Sequence, residues 1–132
     1  MFRKLLHGKI HGATVTATAV DYEGSIGVDA NLLAAAGILP HESVHVWNVT
    51  NGERFETYAI ANPAGSGEIV VNGAAAHKTR AGDKVIIAAF TWLTEGELRR
   101  HKPSIVLVDS ANRIQKRKKQ VIRKADSSLR SE

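Results

Sequence analysis

The chain has 132 residues, a mass of 14.3 kDa, 43% hydrophobic and 5% aromatic residues, and a formal charge of +5. That is enough for one domain with a core of Ala, Val, Ile and Leu, and it excludes a disordered chain. The absence of cysteine excludes a disulfide framework, a thiolate metal site and a Cys nucleophile.

The charge is unevenly placed. Residues 1–112 hold ten basic and eleven acidic residues, a net −1, whereas residues 113–132 hold eight and two, a net +6. The body therefore lacks the basic face expected of a folded nucleic-acid binder. The longest apolar run, Val85 to Phe90, is far short of the ~20 residues of a membrane span. Basic residues near the start are followed by His7, Gly8 and Lys9 rather than an apolar stretch, so no signal peptide is expected and the expected compartment is the cytoplasm.

In chain order, Thr14 to Val20 alternates polar and apolar residues and predicts a half-buried strand. Ser25 to Asp29 predicts a short strand. Asp29 to Gly37 predicts a helix of about two to three turns, with Asp29 accepting its first N–H groups and Gly37 taking the left-handed position at its end. Val44–Val49 and Arg54–Ala61 predict a hairpin around Asn51-Gly52, a pair that tolerates positive φ at both central positions. A loop over 62–67, a strand over 68–72, a helical turn over 73–77, a strand over 84–92, a further helical turn over 94–100 and a last strand over 104–109 complete the body. Six or seven short strands with turns between them suggest a small barrel or sandwich. Residues 113–132 read as an appended, basic and disordered tail, because Ile114, Val121, Ile122 and Leu129 are too few to anchor it.

His7/His11 and His41/His45 have the i, i+4 spacing of helical metal ligands. On strands that spacing spans ~13 Å, too far for one ion, so no metal site is expected. No phosphate-binding glycine motif and no Gly-x-Ser-x-Gly elbow is present. Gly24-Ser25 after Tyr22-Glu23 is different in kind, since a serine hydroxyl beside a flexible glycine can attack the preceding carbonyl. Taken alone the dipeptide is better explained by a plain turn, and Gly65-Ser66 repeats it in an ordinary loop. A binding module whose basic tail touches nucleic acid, and an inactive structural oligomer, also fit these features.

Lys9-Ile10-His11, Tyr22-Glu23-Gly24-Ser25, Ala36-Gly37-Ile38-Leu39, Trp47-Asn48-Val49-Thr50-Asn51-Gly52, Arg54-Phe55, Thr57-Tyr58-Ala59-Ile60-Ala61 and Val71-Asn72-Gly73-Ala74-Ala75-Ala76-His77 occur in this order, before Gly82-Asp83. Together they resemble the bacterial pyruvoyl-dependent aspartate decarboxylases, over residues 1 to about 110. The resemblance implies a mainly β fold, a small double-psi β-barrel with short helices spanning 1–112. It implies a homotetramer with active sites between subunits, and a lyase that makes β-alanine from L-aspartate for pantothenate. It further implies self-cleavage between Gly24 and Ser25 into chains 1–24 and 25–132. Ser25 would become the pyruvoyl group that forms a Schiff base with substrate, so neither pyridoxal phosphate nor a metal is called for. Carried over by position, Tyr58 is the proton donor. Arg54, Lys9, Thr57 and the backbone of Gly73, Ala74 and Ala75 bind substrate, and His11, Tyr22 and Asn72 support. Some family members need a helper protein to mature. Neither a membrane nor a nucleic acid is expected as a partner.

Overall fold

The computed structural model describes residues 1–119. It is mainly β, with nine strands in the order β2-β6-β3-β5-β4-β7-β1-β8-β9 and short helices. The strands are β1 (Phe2–Thr14), β2 (Ala17–Ala19), β3 (Ser25–Asp29), β4 (Ser43–Asn48), β5 (Arg54–Asn62), β6 (Ile69–Asn72), β7 (Lys84–Thr94), β8 (Ser104–Val108) and β9 (Ile114–Lys119). Helix α1 (Ala30–Ala36) follows β3, a 3-10 turn occupies Gly73–Lys78, and α2 (Glu95–Leu98) follows β7. The sheet curls into a small barrel-like body without closing into a hydrogen-bonded ring. Ile10, Ile26, Val28, Val44, Val46, Ile69, Val71, Val85, Ile87 and Val106 are buried and form its core with Leu32 and Leu33 of α1. Among the described residues, no helix is long and apolar enough to cross a membrane.

The first strand departs from the expectation. β1 spans Phe2–Thr14, so the expected Thr14–Val20 strand is split: Thr14 ends β1 and Ala17–Ala19 forms β2. Val15 and Thr16 instead link regions, donating their N–H groups to the Asp83 and Ile69 carbonyls. β1 was hidden because its register with β7 shifts twice, between Leu6 and Gly8 and between His11 and Ala13. Each extra residue reverses which side chains face inward, so no period of two survives.

The caps of α1 match the sequence reading. Asp29 accepts the Asn31 N–H at 2.8 Å, and Gly37 takes φ 69°. The hairpin between β4 and β5 forms, but only Gly52 has positive φ, and the loop is longer than a two-residue turn. The Asn48 side chain supplies what the tight turn would have, accepting from Thr50 N–H at 3.0 Å and donating to the Lys78 carbonyl and the Asp83 carboxylate.

The domain does not end at residue 112. Ile114–Lys119 forms β9, antiparallel to β8. Asn112, buried at φ 61°, carries the turn into it, donating to the Thr14 and Gly67 carbonyls and accepting the Thr14 N–H. Ile114 packs on the core. Backbone pairing thus holds a strand that its sparse apolar residues did not announce, and charged side chains suit such an edge strand. The remainder of the tail, 120–132, lies outside the described residues.

Candidate active site

Ser25 opens β3 and is buried at 1% exposure. Two groups hold its hydroxyl. The Asn72 side-chain amide donates to Oγ at 3.0 Å, and Oγ donates to the Glu23 carbonyl at 3.3 Å. Ser25 and Asn72 are direct partners in the β3–β6 ladder, which fixes this approach. Asn72 is itself buried.

The residue after Asn72 completes the cradle. Gly73 has φ 75°, and a Cβ placed there would lie 2.6 Å from the Gly24 Cα and 3.2 Å from the Tyr22 carbonyl oxygen. Only glycine lets the 3-10 turn press against the backbone just before Ser25. Tyr22, Gly24, Ser25, Asn72 and Gly73 are therefore brought together. The Tyr22 ring is exposed, and Tyr22 touches the site through its backbone. Ala74 follows as an exposed residue and Ala75 is half-buried.

β5 lies on the other side of β3, running parallel, with Ile26 opposite Ala59. Tyr58 lies one residue before that paired stretch and pairs with Ser43 of β4. Burial alternates along β5, so Thr57 faces the half-buried side and Tyr58 the exposed side. The Tyr58 ring is 36% exposed and stacks on His41, with centroids 6.2 Å apart.

Arg54 and Lys9 are placed elsewhere within the chain. Arg54 is four residues from Tyr58, ~13 Å along the strand. Its guanidinium stacks on Trp47, its cross-strand partner, 4.9 Å from the ring centroid. Together with Lys4, His45, Glu56 and Phe90 these residues line a cavity of about 540 Å³, whose walls do not include Ser25. Lys9 and His11 sit on β1 between β7 and β8, and three strands separate β1 from β3 in the sheet order. Partial burial, and then the Lys9 charge, hold the His11 imidazole below its usual pKa. Trp47 was missed as a site residue. Counting back from a two-residue Asn51-Gly52 turn pairs Arg54 with Val49; the longer loop shifts the register and puts Trp47 opposite it instead.

The sequence model of a family described as aspartate decarboxylase matches residues 1–115. The chain belongs to the aspartate decarboxylase family. It is 55% identical over 112 residues to the aspartate 1-decarboxylase of Dehalococcoides mccartyi (strain 195), covering 85% of this chain and 90% of that one. It is 57% identical over 114 residues to aspartate 1-decarboxylase 2 of Gloeobacter violaceus, covering 86% and 91%. With the aspartate 1-decarboxylase of Legionella pneumophila (strain Lens) it shares 55% identity over 113 residues, covering 86% and 85%. Family membership therefore covers the whole body up to the start of β9.

Proposed function

We propose that the chain cuts itself between Gly24 and Ser25 and then converts L-aspartate to β-alanine and CO2, supplying pantothenate synthesis. The observation that carries the reading is the buried Ser25 hydroxyl, held by Asn72 and followed across the cradle by a glycine that presses on Gly24. These partners fit a serine nucleophile, because Asn72 donates to Oγ while the hydroxyl proton is directed to the Glu23 carbonyl.

In maturation, Oγ bonds to the Gly24 carbonyl carbon and the Ser25 nitrogen leaves as a free amine, turning amide into ester. Loss of the Ser25 α-proton expels the Gly24 carboxylate and leaves an enamine. Its imine tautomer takes up water and releases ammonia, so a pyruvoyl group heads residues 25–132. The Asn72 amide orients the attacking oxygen, and the bare Gly73 lets its turn close on the Gly24 Cα and nitrogen. In this reading Thr57, on the strand beside β3, polarises the Gly24 carbonyl and later holds substrate.

The pyruvoyl group supplies an electron sink for the charge left when CO2 departs. The chain's own residues do the rest. The Tyr58 phenol carries the proton for the carbon that lost CO2. Arg54 offers a planar fork for a substrate carboxylate, and Lys9 a second positive charge. Backbone N–H groups of Gly73, Ala74 and Ala75, in the 3-10 turn that follows Asn72, anchor the substrate in this reading. His11 and Tyr22 have supporting places.

Because Arg54 and Lys9 stand apart from Ser25 within one chain, a second copy supplies them in this reading. The assembly is a homotetramer with sites between subunits. Intact-mass measurement of the wild type and of Ser25→Ala tests the core of the proposal. Wild type splits and releases CO2 from aspartate, whereas Ser25→Ala stays whole and releases none. A Ser25→Ala protein that still decarboxylates aspartate refutes it.

A further inference from the structure

The turn before β4 holds an unusual residue. His41 sits at φ 74°, in the left-handed region that bulky side chains rarely enter. Its N–H donates to the Ala59 carbonyl at 2.7 Å, and the Ala59 N–H donates to the Glu42 carbonyl at 3.0 Å. These bonds clamp the turn to β5 beside Tyr58.

The Glu42 carboxylate fastens the other side. One oxygen accepts the Leu39 N–H at 2.9 Å, and the other is hydrogen-bonded to His7 Nε2. His7 is the extra residue at the first register shift of β1. A bulge re-aims a side chain, and here it directs His7 away from the ladder and onto Glu42. Both side chains of that pair are largely shielded, at 19% and 24% exposure.

The result is an imidazole stacked on Tyr58 at 6.2 Å and 28° between planes. Such spacing is within the range of favourable aromatic pairs. The turn itself does not need a ring, because glycine or asparagine adopts this backbone with less strain. What the imidazole adds is a wall for a phenol that is otherwise open to solvent. Strain at a non-glycine residue persists where the surroundings over-determine it.

We propose that His41, fixed in its left-handed turn by the His7–Glu42 pair, is a positioning residue that sets the orientation of the Tyr58 phenol. The inference rests on the reading of Tyr58 as the proton donor. His41 need not touch the substrate; it narrows the range of ring positions from which the proton can be delivered.

The test compares His41→Gly, His41→Asn, His7→Ala and Tyr58→Phe in the full-length matured enzyme. Rates are expressed per cleaved chain counted by mass spectrometry. His41→Gly and His41→Asn both permit the turn and both lack the ring. Each lowers kcat roughly 10-fold, part of the loss that ~1 Å of misplacement can cause, with KM for aspartate essentially unchanged. The Tm of His41→Gly equals or exceeds that of wild type, so the loss is not one of folding. On a Tyr58→Phe background, His41→Gly causes no further loss. His7→Ala lowers kcat in the same manner to a smaller extent, and an unchanged kcat there removes the His7–Glu42 pair from the proposal. An inactive Tyr58→Phe beside a fully active His41→Gly overturns the inference while sparing the Tyr58 reading. A fully active Tyr58→Phe overturns the Tyr58 reading itself.

Discussion

Replacing Gly73 with alanine should stall self-cleavage while leaving most of the fold intact. Two costs arise at this position. The first is backbone strain, since φ 75° costs an L-residue about 1–2 kcal/mol. The second is a collision, because the new Cβ would stand 2.6 Å from the Gly24 Cα, whereas carbon atoms settle at about 3.5–4.0 Å. Relief requires roughly 1 Å of separation between the 3-10 turn and the segment that carries the scissile bond. A misplacement of that size costs a positioned reaction on the order of 10²-fold. Gly37→Ala isolates the first cost. Gly37 has φ 69° with nothing within 4 Å of an added Cβ, so it loses stability by the same 1–2 kcal/mol with no collision near Ser25. The assay follows conversion of the full chain into residues 1–24 and 25–132 by denaturing mass spectrometry, with Tm measured on each uncut protein. The account expects wild type and Gly37→Ala to mature at similar rates and Gly73→Ala to mature about 100-fold more slowly. Wild-type maturation in Gly73→Ala, or equal slowing in Gly37→Ala, would refute the reasoning.

Asn72→Ala removes the donor to the buried Ser25 hydroxyl, a loss of about 1–3 kcal/mol that should slow cleavage roughly 5- to 100-fold, read by the same assay. Arg54→Ala should raise KM for aspartate about 10- to 100-fold, as expected for a charged hydrogen bond of roughly 1.5–3 kcal/mol. Cleavage should be untouched, and Arg54→Lys should restore little, because an ammonium lacks the guanidinium fork; steady-state kinetics on matured protein decide this. Asp29 bears on stability rather than chemistry. Burial pushes its carboxyl up, but N–H groups of Gly67, Asn31 and Gly65 and the Arg113 charge together hold it below the usual value. Its contribution is therefore full above the unfolded pKa of about 3.9 and is lost as pH falls through the still lower folded value. Thermal unfolding of Asp29→Asn should show a deficit at pH 7 that shrinks below about pH 3; a deficit that grows in acid contradicts the assignment.

How much could be read beforehand varied with the kind of signal. Local chemistry was legible. The Asp29 and Gly37 caps of α1, the strand at Ser25 and the helical turn after Asn72 all rest on residues next to one another in sequence. Features that depend on distant partners were not. Two bulges scramble the inside-outside pattern of β1, and β9 is secured by Asn112 reaching the Thr14 and Gly67 backbone. Of the proposed site, family resemblance named Ser25, Asn72, Gly73 and Tyr58 together; the register of β3 with β6 explains how Ser25, Asn72 and Gly73 meet, and Tyr58 lies on β5, the other neighbour of β3. It named Arg54 and Lys9 as well, yet one chain leaves them apart from Ser25. In the sequence, His7 and His41 stand out only as members of i, i+4 pairs too widely spaced on strands to share a metal ion. Their link through Glu42 spans separate elements, and no spacing rule anticipates it.

The central claim is that Ser25 is consumed to make the reacting group. A denaturing mass spectrum of purified wild-type protein tests it most directly. The account predicts two species, residues 1–24 ending in a free carboxylate and residues 25–132 beginning with a carbonyl in place of the serine amine. A chain that stays whole and still releases CO2 from aspartate would contradict it.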